Sequence, residues 1–479
     1  MVNQPISKGD FAGYTKDKII KGLYQEKDVQ EEATVNYNMM NHVVNHLLDV
    51  DSYGTVFMYA TNQDLTTAPR HIIRMTEPVD PELLREALKI ALLRFPQMGL
   101  GLKRGKTQYQ YRLLSEPPVV LPFEDISPYY IGSEDTNGYL FCCGYKDSTI
   151  YLEYQHCTSD GRGFNEFIKC VLFYYLKLRG YAIENDGSIR TLESDFHPDE
   201  NEDGFAKLRK AKQSDENHVP EVPAFHLPEY DGMEDEDELT TEITLPFSQI
   251  RRYVKQNHIS PLTFLMTALC HAIYRTYYEG TDHKEAIVAE VPMDLRTYID
   301  SPTVRFFVAL LDLPFHYEYF HLPFAEACRK LSDFFDTQRA LPHAAFWALK
   351  NADRVSTGHK ADMPIDEKEK MMREQARAYI RRDSFILTNI GPFQIPISME
   401  RHIADYGAIL PCAHQPFGVL VSSYCDTLKI ALSQRDLRPN LVDNLVAVLS
   451  EIGFRAHTYS YMFHPTRYDG KRLGGGDKN

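Results

Sequence analysis

Residues 149 to 161 read Thr149-Ile150-Tyr151-Leu152-Glu153-Tyr154-Gln155-His156-Cys157-Thr158-Ser159-Asp160-Gly161. Ile150, Leu152 and Tyr154 fall on one face of an extended chain, so residues 149 to 155 predict a strand. A helix is predicted from about Phe164 to Arg179, with Gly180 as its C-cap. Between them lies His156-x-x-x-Asp160-Gly161, at a strand end. An imidazole there stands at the rim of a sheet and not inside the core. A neutral imidazole can take a proton from an attacking hydroxyl or amine as a bond to an acyl carbon forms. Such general-base help is worth ~10²–10⁴-fold in rate, and the pKa of histidine suits it. Asp160 could orient His156, or pair with an arginine and hold the loop rigid. Gly161 and Gly163 supply permissive backbone for a tight turn. The same letters also fit a capping aspartate and a turn glycine beside an unrelated histidine.

Outward from this stretch the chain divides into two comparable halves. In the first, Asp80 caps a helix with Pro81 at its first position. Leu84, Leu88, Ala91 and Leu92 repeat at helical spacing, and Phe95-Pro96 ends the element. The second half opens a helix at Ser260-Pro261 running towards Tyr278. It predicts strands over 286–291, 306–313, 384–389, 418–422 and 428–432, and a last helix over 441–451 ended by Gly453. The fold class is therefore α/β (α+β): two sheets with helices, and a cleft between halves that favours a ligand. The divisions are residues 1–190, an acidic linker or crossover over 191–238, and residues 239–479.

The chain of 479 residues carries a formal net charge of -15. That argues against nucleic acid, which needs a basic face. Most of the charge is local: Glu193 to Glu242 holds 17 Asp or Glu against 4 Lys or Arg, which predicts a solvated stretch. The 8 cysteines include no C-x-x-C pair, so neither a zinc site nor a redox motif is indicated, and scattered thiols fit a reducing, cytoplasmic location. The start of the chain shows no basic-then-apolar signal pattern. No run approaches the ~18 apolar residues of a membrane span.

Four stretches together resemble a known superfamily. Gln155-His156-Cys157-Thr158-Ser159-Asp160-Gly161 resembles the His-His-x-x-x-Asp-Gly motif of the chloramphenicol acetyltransferase and condensation-domain superfamily. Arg94-Phe95-Pro96 resembles the Arg-Phe-Pro that ends its first helix. Val291-Pro292-Met293-Asp294-Leu295-Arg296, followed by Ser301, Thr303, Arg305, Phe306 and Phe307, resembles its Val-Pro-Val-Asn-Leu-Arg stretch. Thr388-Asn389-Ile390-Gly391 is similar to the Ser-Asn-Leu-Gly of the alcohol acetyltransferase-like, polyketide-associated branch. The order of the four along the chain is the family's order. Gln155 replaces the first histidine of the motif. The Asp-Phe-Gly-Trp-Gly motif of the plant branch is absent, and Trp347 is the only tryptophan.

The resemblance implies two chloramphenicol-acetyltransferase-like subdomains forming a pseudo-dimer around a tunnel, with His156 as general base midway. It implies that Asp160 is mainly structural and pairs with an arginine, Arg296 by position, with Arg305 in reserve. Thr388 or Asn389 could donate to the oxyanion of a tetrahedral intermediate, a contact worth ~10²–10³-fold; a plain strand-ending turn before Gly391-Pro392 explains the same residues. The implied activity is O-acylation, from acyl-CoA to a hydroxyl acceptor, with no permanently bound cofactor and a monomeric chain. The alternatives are a condensation-type enzyme that takes a donor from an acyl carrier protein to an amine, and a non-catalytic binding protein. His42 and His46, spaced as a metal pair would be, lack a third ligand at convincing spacing and sit among packing residues. Cys157 beside the base shows no environment that would lower its pKa and reads as a space-filler.

Overall fold

The computed structural model describes residues 48–61, 66–123, 130–216, 222–227, 238–412, 415–435 and 440–463. His42 and His46 lie outside them. In chain order the strands are β1 Arg70–Met75, β2 Leu100–Arg104, β3 Tyr109–Leu113, β4 Val120–Pro122, β5 Phe141–Lys146, β6 Thr149–Tyr154, β7 Glu238–Pro246, β8 Ile287–Asp294, β9 Val308–Phe315, β10 Phe385–Pro392, β11 Ile403–Ile409, β12 Phe417–Tyr424, β13 Thr427–Gln434 and β14 His457–Phe463. The helices are α1 Val56–Ala60, α2 Pro81–Arg94, α3 Gly161–Leu178, α4 Gly204–Leu208, α5 Phe247–Asn257, α6 Pro261–Ile273, α7 Phe324–Gln338, α8 Leu341–Lys360, α9 Ile365–Ile380, α10 Ile397–Glu400 and α11 Leu441–Glu451.

Two sheets organise them. One has the order β11-β1-β6-β5-β4, the other β14-β7-β13-β12-β10-β8-β9, and β2 and β3 form a hairpin apart. The first sheet buries Ile150, Leu152 and Tyr154 beneath Phe164, Phe167 and Val171 of α3. In the second, alternation separates two faces. Ala289, Val291 and Met293 of β8, Ala309 and Leu311 of β9 and Leu387 of β10 enter the main core. Glu290, Pro292, Val308, Leu310, Ile386 and Thr388 turn the other way, onto a cavity.

The strand β11 comes from the second half of the chain yet pairs antiparallel with β1, Arg70 opposite Ile409. The sheets are thereby linked by covalent crossover as well as by packing. A gap opens within the second sheet. β10 pairs with β8 only at Phe385 and Ile386, while its pairing with β12 continues to Pro392. Beyond Ile386 the floor of the cavity is thus a fork between β8 and β10.

The acidic stretch is solvated only in part. Glu200 is buried and takes Arg94 at 2.6 Å, closing the Arg-Phe-Pro corner. Asp203 accepts the Ser52 amide at 3.0 Å, and Thr303 donates to the Glu202 carbonyl at 2.7 Å. Phe205 and Leu208 of α4 lie in the main core. Carboxylates that would repel one another in water are here fixed by arginine and backbone donors.

Candidate active site

β6 delivers His156 to the rim of the first sheet, and the chain turns at once into α3. The turn holds because Asp160 caps the helix: Oδ1 accepts the Gly163 amide at 2.9 Å. That cap starts α3 at Gly161, three residues ahead of the predicted Phe164. The second oxygen, Oδ2, accepts the Phe307 amide at 2.9 Å and meets Arg296 Nη1 at 2.8 Å. Arg296 is saturated. It donates to the carbonyls of Thr303 at 2.6 Å and Arg305 at 2.5 Å, and to Asp294 at 3.0 Å. Arg305 donates to the Asp49 carbonyl at 2.5 Å. Ser159 Oγ donates to the Val304 carbonyl at 2.5 Å. The loop carrying His156 is therefore bolted to residues 303–307 of the second half. Gly163 is required by that approach: a Cβ there would run into the Val304 carbonyl and the Ser159 hydroxyl.

Half-buried, the His156 ring is enclosed by aromatic rings, with centroids 4.9 Å from Phe57, 5.0 Å from Tyr154 and 6.0 Å from Phe306. Its Nδ1 lies 3.2 Å from the Ser159 carbonyl. A carbonyl only accepts, so the proton is on Nδ1 and Nε2 carries a lone pair. Burial lowers the pKa to about 4, against the opposing pull of the Ser159 carbonyl and the Asp160 charge. Near pH 7 the ring is neutral and able to accept a proton.

A cavity of about 550 Å³ contains His156, Asp160, Gly161, Arg296, Thr388 and Asn389 in its lining. These six residues, read from the sequence, meet the same space, whereas Arg305, the reserve partner of Asp160, is not in its lining. Thr388 is half-buried on the cavity face of β10. Asn389 is exposed, and its Oδ1 accepts the Gly391 amide at 2.9 Å, leaving Nδ2 as its donor. Gly391 takes φ of +75°, a left-handed turn within the register shift between Asn389 and Pro392.

The solved structures most informative for this arrangement are distant in sequence. Polyketide synthase associated protein 5 from Mycobacterium tuberculosis matches with a TM-score of 0.55 at 14% identity, over 83% of this chain and 95% of that one. The TRI3 trichothecene 15-O-acetyltransferase from Fusarium sporotrichioides matches with a TM-score of 0.54 at 11% identity, over 84% and 94%. The epimerization domain of the third module of tyrocidine synthetase B gives 0.50 at 12%, over 82% and 92%. The chain has the chloramphenicol-acetyltransferase-like fold in its condensation-domain form. No family model and no curated protein matches the sequence. The likeness to these chloramphenicol-acetyltransferase-like structures is therefore one of fold, and chemistry must be argued from the site.

Other lining residues escaped the sequence reading. Phe57 lies on a five-residue helix, too short for periodicity to show. His71 comes from β1. Its Nδ1 is 2.8 Å from the Tyr406 hydroxyl, which gives its own hydrogen to Asn165 at 3.0 Å. His71 must donate there, so its buried Nε2 is a lone pair without a partner. Burial holds its pKa down to about 3, helped by the nearness of His156. Tyr154 Oη is likewise enclosed without a partner. Cys157 is fully buried and burial pushes its thiol well up, which fits a space-filler and not a nucleophile. Among the described residues no group of three His, Cys, Asp or Glu side chains is placed to hold a metal ion, and no helix is long and apolar enough to cross a membrane.

Proposed function

We propose that the chain is an acyltransferase that moves an acyl group from acyl-CoA to a hydroxyl acceptor, with His156 as general base. One observation carries the reading: the Nδ1 proton of His156 is committed to the Ser159 carbonyl, so the basic Nε2 belongs to a ring that lines the cavity. An acceptor hydroxyl gives its proton to Nε2 as its oxygen bonds to the thioester carbon. The carbonyl oxygen takes up negative charge and accepts from Thr388 Oγ1 or Asn389 Nδ2. When the carbonyl re-forms, the C–S bond breaks and His156 returns the proton to the departing thiolate. Asp160 and Arg296 do not touch the ring. They hold the His156 loop against residues 303–307 and so fix where Nε2 points. Arg162 and Lys169 line the cavity, paired there with Asp294 and Glu166.

Purified protein given acetyl-CoA and a panel of alcohols should release free thiol and form esters. His156→Ala should cut that rate ~10²–10⁴-fold with the fold intact by circular dichroism. Thiol release unchanged by His156→Ala would overturn the assignment.

A further inference from the structure

The cavity floor on β8 has polar groups at two levels. At one end Asp294 is engaged by Arg296 and Arg162. Four residues earlier, about 13 Å along an extended strand, Glu290 faces the same cavity. It is 7% exposed, and its Oε2 has no hydrogen-bond partner among the described residues. Val308, Leu310, Ile386 and Leu420 supply an apolar lining to that floor.

A second enclosed oxygen belongs to this end. Gln415 is 6% exposed and donates Nε2 to the Ile380 carbonyl at 2.8 Å, which fixes its amide and leaves Oε1 enclosed without a partner. Both residues line the one cavity, on either side of β10. Ile386 is flanked by Glu290 on β8 and by Gly418 on β12, and Gln415 precedes Gly418 by three residues. Tyr379, next to Ile380, feels the charge of Glu290.

Burying a carboxyl and an amide oxygen without partners destabilises a fold. Among the described residues Glu290 forms no ion pair, and the neighbouring Arg382 closes on Asp312 and Asp383. Burial, with the charges of Asp383 and Asp312 behind it and that of Arg382 against it, pushes the Glu290 carboxyl well above the usual range. That shift favours the neutral carboxyl, which both donates and accepts. A neutral carboxyl and an amide oxygen on the wall of one cavity complement a hydroxyl, which has one hydrogen to give and lone pairs to receive.

We propose that Glu290 and Gln415 form a subsite for a hydroxyl carried on a long apolar chain whose reacting end lies at His156. This rests on the acyl-transfer reading for what happens at the reacting end. The hydroxyl-bearing chain belongs either to the acceptor alcohol or to the acyl group, and the two sources are separable.

The test measures binding, so it does not depend on turnover. Full-length wild type, His156→Ala, Glu290→Leu and Gln415→Leu are titrated with decanol against decanediol, and with decanoate against its omega-hydroxy derivative. Wild type and His156→Ala should bind the hydroxylated member of one pair about tenfold more tightly, and the pair that discriminates names the source. In Glu290→Leu and Gln415→Leu that ratio should fall to about one, and Glu290→Gln, which keeps a neutral hydrogen-bonding group, should retain it. Glu290→Leu should also melt no lower than wild type, whereas a merely structural carboxyl would make it melt lower. A ratio near one for both pairs in wild type overturns the proposal, as does a ratio that survives both leucine variants. Tighter binding of aminodecanol than of decanediol overturns the neutral hydroxyl. If the ratio holds but no alcohol is acylated, the subsite stands and the acyl-transfer reading falls.

Discussion

Asp160 and Arg296 meet at 2.8 Å across the join between the two halves of the chain, with their side chains 4% and 7% exposed. The carboxylate gives its other contacts to the amides of Gly163 and Phe307, and none to His156. The pair is a clamp on the loop. Arg296→Ala would strand a buried carboxylate and orphan the carbonyls of Thr303 and Arg305. The expected loss is about 3–5 kcal/mol, read as a lower midpoint in urea. Asp160→Ala should cost a similar amount, and the double variant should cost less than the two single losses added together. Wild-type stability and activity in Arg296→Ala would show that the clamp does nothing.

Gly163 gives a sharper steric test. The obstacles to a Cβ there are backbone and a hydroxyl fixed to backbone, neither of which can step aside. Gly163→Ala should lose about 1–3 kcal/mol or fail to fold. Gly99→Ala is the control: its Cβ meets nothing within 4 Å, and the residue does not need a left-handed backbone. Its melting temperature should match wild type.

The parts of this arrangement that were legible in the sequence are those that local chemistry determines. Asp80 with Pro81 marks a helix start wherever it lies, and α2 begins there with Asp80 accepting from the amides of Glu82 and Leu83. Strands β8, β10, β12 and β13 are runs of apolar and β-branched residues, so they show as strands, though each extends past its predicted C-terminal end. The strand β1 did not show. Its Arg70, His71 and Arg74 interrupt the apolar pattern, and their partners Glu153, Tyr406 and Asp405 are distant in the chain. The same holds for β11, whose partner is more than 300 residues away in the chain. Tyr154 was read as one more apolar face of a strand, because nothing local says that its ring packs against His156 with the hydroxyl enclosed.

That hydroxyl supports a prediction on stability. Tyr154 Oη is enclosed, and no described residue bonds to it. Removing a buried unpartnered hydroxyl relieves a desolvation penalty. Tyr154→Phe should therefore be at least as stable as wild type in urea. A marked loss would mean that the oxygen has a bound water holding it.

The pH dependence follows from the rings around His156. Burial against Phe57, Tyr154 and Phe306 brings the native pKa to about 4, from the ordinary imidazole value of 6.5. Between those values an unfolded chain would hold a proton on this residue and the native chain would not. The contribution to stability is thus complete above 6.5 and is lost as the pH falls towards 4. Activity should follow the native ring. The kcat/KM of thiol release should stay flat from pH 8 down to pH 6 and fall only as the pH approaches about 4, with circular dichroism at each pH separating protonation from unfolding. Phe57→Ala exposes the ring to water, so its acid limb should move up towards 6.5. A limb near 6.5 in both proteins would mean that the aromatic enclosure does not desolvate the base; equal limbs near 4 would mean that Phe57 is not the ring responsible.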